Sequence, residues 1–205
     1  MRFPIGLLVL WWIGLLPAVH EPAPPDRLEG IQRSVAGMLL VASEKLADPN
    51  FDHTVVFMVV HDREGALGLV INRRYGRVPA RELLERLGLP AEEAEGEIEL
   101  AYGGPVDPGT GFVVHTPDYR LEDTLLVTPG IAVTNDTRVM ADIARGKGPA
   151  RYIATLGYAG WAAGQLDAEI ARGDWYLVEA DPALLFETPV AERWERARER
   201  SGIDL

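Results

Sequence analysis

A single α+β domain is predicted for most of this chain, and three observations predict it. From Gly37 onwards, short apolar runs rich in β-branched residues mix with helical stretches in no simple alternation, which argues against a doubly wound sheet. The run VVFMVV at residues 55–60 is apolar without interruption, so a layer must cover each of its faces. The 205 residues are 47% hydrophobic and 25% charged, a composition that supports one substantial core.

The elements follow in chain order. Strands are expected at residues 38–42, 54–61 and 67–72, each short, apolar and bounded by Gly, Pro or Asp. Pro79 opens a first helix whose Leu83, Leu84 and Leu87 form one apolar stripe before Gly88 ends it. Residues 92–99 read as an acidic, solvated loop leading into a strand at 98–102. Further strands are expected at 111–115 and 124–127. Asn135 or Asp136 caps a second helix that turns Val139, Met140 and Ile143 inward and stops at Gly146. A strand at 152–157 precedes a third helix at about 163–172, where Leu166 and Ile170 are four apart and Gly173 is the stop. A strand at 175–179 and a charged helix at 190–200, anchored by Trp194, complete the chain.

The N-terminus stands apart from the fold. Residues 3–19 are apolar and uncharged behind Arg2, but Pro4, Gly6, Gly14 and Pro17 interrupt them, and a spanning helix needs about 20 apolar residues. A secretory signal over residues 1–20 fits this pattern, with Ala18 at the cleavage point. The alternatives are an uncleaved anchor, associated with the membrane through residues 3–19, and a misassigned start. Residues 21–33, beginning EPAPP, read as a proline-rich spacer. The expected location is therefore exported (periplasmic) or membrane-anchored if this segment is genuine, with the cytoplasm as the alternative.

Composition removes several chemistries. There is no cysteine, hence no disulfide, thiolate or iron-sulfur site. The net charge of -11 repels phosphate backbones, and no basic patch or recognition helix is visible, so direct nucleic-acid binding is not expected. None of Ser34, Ser43 and Ser201 lies in a G-x-S-x-G elbow, and RGKGP at 145–149 lacks the pattern of a phosphate-binding loop. Gly65, Gly68 and GGPV lack dinucleotide-fingerprint spacing.

Two histidines carry the remaining catalytic possibility. His61 and His115 each end an apolar strand, in FMVVHD and FVVHTP. A neutral ring nitrogen there serves as a ligand or general base, or else simply binds the backbone. A metal site would require both to converge with a carboxylate, the nearest in sequence to His61 being Asp62 and Glu64. No metal or other cofactor is expected.

The stretch GYAGWAAGQLDAEI at 157–170 is the most specific motif. Gly160 and Gly164 flank Trp161 and allow a tight turn, and Gln165 and Glu169 share one helix face. Asp167 and Glu169, two apart, fall on different faces and make no acid-base pair. A small polar pocket is predicted from Asn72, Gln165 and Glu169 beside Tyr158 and Trp161, with Gly103 and Gly104 in a neighbouring loop. Trp175 and Trp194 read as core or docking anchors.

Together with GMLLVAS from Gly37, DPNF at 48–51, GALGLVIN at 65–72 and GGPV at 103–106, this motif resembles the YqgE/AlgH family over residues 34–205. The resemblance implies a single α+β domain with a barrel-like mixed, largely antiparallel sheet and helices packed outside. It brings no catalytic residues, and members are often labelled transcriptional regulators. The expectation is a non-enzymatic regulatory or binding protein whose GGPV and GYAGW segments line a surface for a protein or small-molecule partner. The alternative is a small hydrolase or metal-dependent enzyme using His61 and His115.

Overall fold

One apolar run serves two cores. In the computed structural model, which describes residues 34–202, strand β2 (Val55–His61) turns Val55, Phe57 and Val59 to one face and Val56 and Met58 to the other, all buried. Full burial of a side chain such as Phe57 is worth about 1.5–3 kcal/mol. The signal or anchor and spacer assigned to residues 1–33 lie outside the described residues.

Around β2 the sheet runs in the order β10 (Trp175–Glu179), β1 (Met38–Ala42), β2, β3 (Gly65–Val70), β9 (Tyr152–Ala162), β6 (Val106–His115), β8 (Ile131–Thr134) and β7 (Leu125–Thr128). A hairpin of β4 (Arg74–Pro79) and β5 (Glu97–Tyr102) joins through β5, which runs parallel to β9, while the other pairings are antiparallel. The result is one α+β domain with a curled, largely antiparallel half-barrel sheet. Its hub is β9, where β6 pairs along residues 152–158, β5 meets residues 154–156 and β3 meets residues 159–162.

Helices cover what the sheet leaves apolar. Helices α1 (Ala80–Arg86) and α2 (Arg138–Ala144) place Leu84 and Val139 against Ile98, Leu100, Val113 and Ala154. Leu166 of α3 (Gln165–Arg172) packs with Leu40, Val56 and Met58. On the opposite face, Leu184 and Leu185 of α4 (Pro182–Phe186) and Ala197 of α5 (Arg193–Arg200) close over Leu39, Phe57 and Ile131. Trp194 docks α5 by donating its indole N–H to the Ala42 carbonyl at 3.0 Å.

The structure departs from the sequence expectation at identifiable places. Strand β4 reads RYGRVP and is mostly exposed, so it carries no apolar signature. Strand β8 is wholly buried but only four residues long, and α4 is short, with Asp181 capping it and Pro182 in its first turn. Strand β9 runs on to Ala162, so Gly160 lies within a strand opposite Leu67, and the turn expected there falls at Gly164, whose φ is +72. The helix expected at 190–200 is a 3-10 turn at Val190–Glu192 followed by α5. Leu87, expected in the apolar stripe, is 38% exposed and with Leu83 faces an open trough beside Phe112 and Met140.

Candidate functional site

Two of the motif segments and strand β10 meet around one carboxylate. Glu169 Oε2 accepts the indole N–H groups of Trp161 at 2.8 Å and Trp175 at 2.9 Å, and its Oε1 accepts from Gln165 Nε2 at 3.0 Å. The other end of the Gln165 amide accepts from the Ala162 N–H at 3.1 Å, which ties the start of α3 to the end of β9. Phe51 of the DPNF turn stacks on Trp161 at 6.1 Å and meets Trp175 edge-on at 5.5 Å. The two indoles are nearly fully buried, so the carboxylate satisfies donors that would otherwise be orphaned.

Gly103 and Gly104 pack against the hub strand. A Cβ on Gly103 would stand 2.2 Å from the Gly157 carbonyl oxygen, and one on Gly104 would stand 2.2 Å from the carbonyl carbon of Tyr158. Gly103 donates its N–H to Leu156 and accepts from the Val70 N–H, bridging the place on β9 where β5 ends and β3 begins. These glycines form a backbone crossing that a side chain at either position would obstruct.

Asn72 is not brought to this cluster. Its Oδ1 accepts from the Val55 N–H and its Nδ2 donates to the His53 carbonyl, both at 2.8 Å. It therefore clamps the end of β3 that lies away from Gly65, and Gly65 is the residue paired with Ala162 beside Gln165. The polar pocket read from the sequence is divided between the two ends of β3.

His61 and His115 do not converge either. His61 pairs with Ala66, which faces Trp161 on β9, whereas His115 pairs with Tyr152 at the other end of that strand. The span from 152 to 161 on β9 corresponds to about 30 Å of extended chain. His61 Nδ1 accepts from the Val35 N–H at 3.1 Å, which leaves its proton on Nε2, facing the Asp167 carboxylate at 3.3 Å. Both nitrogens are occupied in fastening the first described residues and α3 to β2. Among the described residues no group of three His, Asp or Glu side chains is placed to hold a metal ion.

His115 is fully buried, with Nδ1 donating to the Thr116 carbonyl at 2.8 Å and Nε2 accepting from the Thr134 hydroxyl at 3.1 Å. Thr134 in turn bonds Thr124 at 2.7 Å. Burial holds the His115 pKa below its ordinary 6.5, against the opposing pull of the Thr116 carbonyl and Asp118. Because the folded state has the lower pKa, its contribution to stability is fully present above pH 6.5 and is lost as the pH falls through the folded value. The urea midpoint of the protein is expected to drop from about pH 6.5 downwards, well before carboxylates protonate near pH 4. A His115→Gln variant, measured over the same range, is expected to show a flatter profile.

Above the Glu169 cluster lies an open apolar surface. Val60, Ala66, Leu67, Val106 and Tyr158 line it with the edge of Trp161, and Asp62 and Glu64 stand at its rim. Val60 is 39% exposed and Val106 37%. The register shift between Met58 and Val60 turns Val60 outwards, and no residue pattern announces such a bulge. The surface includes Tyr158 and Trp161, which the sequence suggests for a polar pocket, and Val106 of the GGPV segment, together with Val60, which the apolar run suggests for the core.

The comparisons with known proteins agree with this architecture. The model of the AlgH-like family matches residues 39–205. A UPF0301 protein of Methylococcus capsulatus is 43% identical over 182 residues, covering 89% of this chain and 99% of the relative. Another from Rhodospirillum rubrum is 41% identical over 180 residues, covering 88% and 94%. The solution structure of the AlgH protein from Pseudomonas aeruginosa superposes with a TM-score of 0.71 at 38% identity, over 86% of this chain and 93% of that one. A Corynebacterium diphtheriae protein shares the fold at a TM-score of 0.64 and 20% identity, over 80% and 85% of the two chains. With the family model spanning nearly all of the described domain and relatives aligned over almost their whole length, the chain belongs to the AlgH-like family.

Proposed function

We propose that this protein is a non-catalytic regulatory protein that binds a partner protein through the surface around Val60, Leu67, Val106 and Tyr158. The observation that carries this reading is an open apolar surface, reaching Trp161 of the Glu169 cluster, on which Val60 and Val106 are exposed and Leu67 and Tyr158 half-buried, each from a different strand. Exposed apolar surface on rigid elements, rimmed by polar groups, favours protein association. Asp62 and Glu64 at the rim, in a chain of net charge -11, select a partner segment that is apolar and flanked by basic residues. Among the described residues no helix is long and apolar enough to cross a membrane. If the apolar residues 3–19 direct export, the partner belongs to the cell envelope.

Peptides test this directly. A peptide with one large apolar residue flanked by lysines is expected to bind the full-length protein with a Kd of about 1–100 μM, and its glutamate-flanked counterpart to bind more weakly. Val60→Lys, at an exposed position, is expected to weaken binding about tenfold, or ~1.4 kcal/mol, without lowering the melting temperature. Equal binding of the two peptides, or an unaffected Val60→Lys, would exclude the proposal.

A further inference from the structure

The net acidity of the chain conceals a concentrated positive site. A cavity enclosing about 190 Å³ is lined by Ile71, Arg73, Arg74, Glu99, Tyr152 and Arg193, among others. Three arginines against one glutamate leave a local balance of +2 (3 − 1) among the charged lining residues. Arg77 adds another guanidinium at the edge, 3.1 Å from the same Glu99.

The pairing of these charges is unusual. Arg193 is only 7% exposed, and its Nε donates to the Thr188 carbonyl while Nη1 donates to the Ile71 carbonyl. No acceptor among the described residues takes its Nη2. Arg73 is likewise held by carbonyls, with Nη1 donating to Asn50 and Nη2 to Asp52, both at 2.8 Å. Carbonyl acceptors orient a guanidinium without neutralising it, and among the described residues neither arginine is ion-paired to a carboxylate. Arg74 is paired, its Nε standing 3.0 Å from Glu99 Oε1, but it remains exposed and able to turn a second face to the cavity.

A buried cation without a carboxylate partner is costly. Burial pushes the Arg193 pKa down to about 10, with Glu99 pulling it up and Arg74 pushing it further down. Burial also raises the Tyr152 pKa, followed by the effect of Glu99, which keeps the phenol protonated and able to donate. The cavity is smaller than the ~300–1,000 Å³ usual for drug-sized ligands, but ample for one tetrahedral oxyanion.

We propose that this cavity is a binding site for a phosphate group, free or carried by a small molecule, seated between Nη2 of Arg193 and the guanidinium of Arg74. A phosphate monoester is close to dianionic at neutral pH, which matches the +2 balance, and guanidinium forks suit its oxygens. This site shares no residue with the apolar surface assigned to a partner, so the two readings stand or fall separately.

The test is calorimetric titration of the full-length protein with sodium phosphate and with glycerol phosphate, at ionic strength matched by sodium chloride. Saturable one-to-one binding is expected. Tighter binding of the ester identifies a phosphorylated small molecule as the ligand, whereas equal binding identifies free phosphate. Arg74→Gln, at an exposed position, is expected to weaken binding about tenfold through loss of a charge-assisted contact. Glu99→Gln is expected to tighten it by removing the competing carboxylate, and Val60→Lys to leave it unchanged. Absence of saturable binding, or an Arg74→Gln protein that binds like the wild type, would each overturn the proposal.

Discussion

Gly104→Ala is expected to cost the protein a large share of its stability. Gly104 has a φ of +150, a conformation that side-chain-bearing residues rarely adopt. A methyl group there would stand 2.2 Å from the Tyr158 carbonyl carbon, 2.3 Å from its oxygen and 2.4 Å from the Ala159 nitrogen. All three are backbone atoms of the hub strand, and that strand cannot retreat. Tyr158 is paired with Val106 of β6 and Ala159 with Gly68 of β3, so movement at the crossing breaks two ladders. Backbone strain and overlap together are expected to exceed about 3 kcal/mol, a large share of the ~5–15 kcal/mol that keeps a domain folded. Gly109→Ala is the control, since a methyl group there meets only Asp107 Oδ1 at 3.7 Å. It is expected to stay within ~0.5 kcal/mol of the wild type. Urea unfolding of both variants checks the pair, and a Gly104→Ala protein as stable as Gly109→Ala would refute the close-packing account.

Glu169→Leu is expected to destabilise the protein by about 2–4 kcal/mol, because it leaves two buried indole N–H groups without an acceptor. Trp161 is 7% exposed and Trp175 3%, so water cannot readily replace the carboxylate. Glu169→Gln keeps one carbonyl oxygen for the indoles but turns an amide nitrogen towards Gln165 Nε2, donor against donor. Its expected cost is smaller, about 1 kcal/mol. Urea midpoints combined with tryptophan fluorescence separate the cases. The leucine variant is expected to alter the emission of the native state as well as the midpoint. Equal midpoints for the two variants would show that the indoles do not depend on an acceptor oxygen at this position.

Some of this was legible before any coordinates. The VVFMVV run does bury both faces as far as Val59, and Gly173 does end α3, with a φ of +79. Asp136 supports the start of α2 as expected, its carboxylate accepting from the Arg138 N–H at 2.8 Å, although the capping position is Thr137. Strand β4 escaped because an exposed edge strand carries arginines and a glycine instead of an apolar pattern. The arginine cavity escaped for a different reason: Arg193 is far in sequence from the basic stretch RRYGR at 73–77, and only the fold brings them together.

Taken alone, the sequence determined the family, the α+β class and the positions where turns and helix ends fall, because these depend on residue type and on periodicities of a few residues. Tertiary structure alone decided which side chains meet. Strand order and register place His61 and His115 at opposite ends of β9, separate Asn72 from Gln165, and gather Trp161 and Trp175 onto Glu169. They also carry Arg193 to the Ile71 carbonyl across 122 residues of chain. Such pairings are set by long-range ladders and by the closing of the two apolar faces, and no local pattern of residues encodes which strand becomes the neighbour of which.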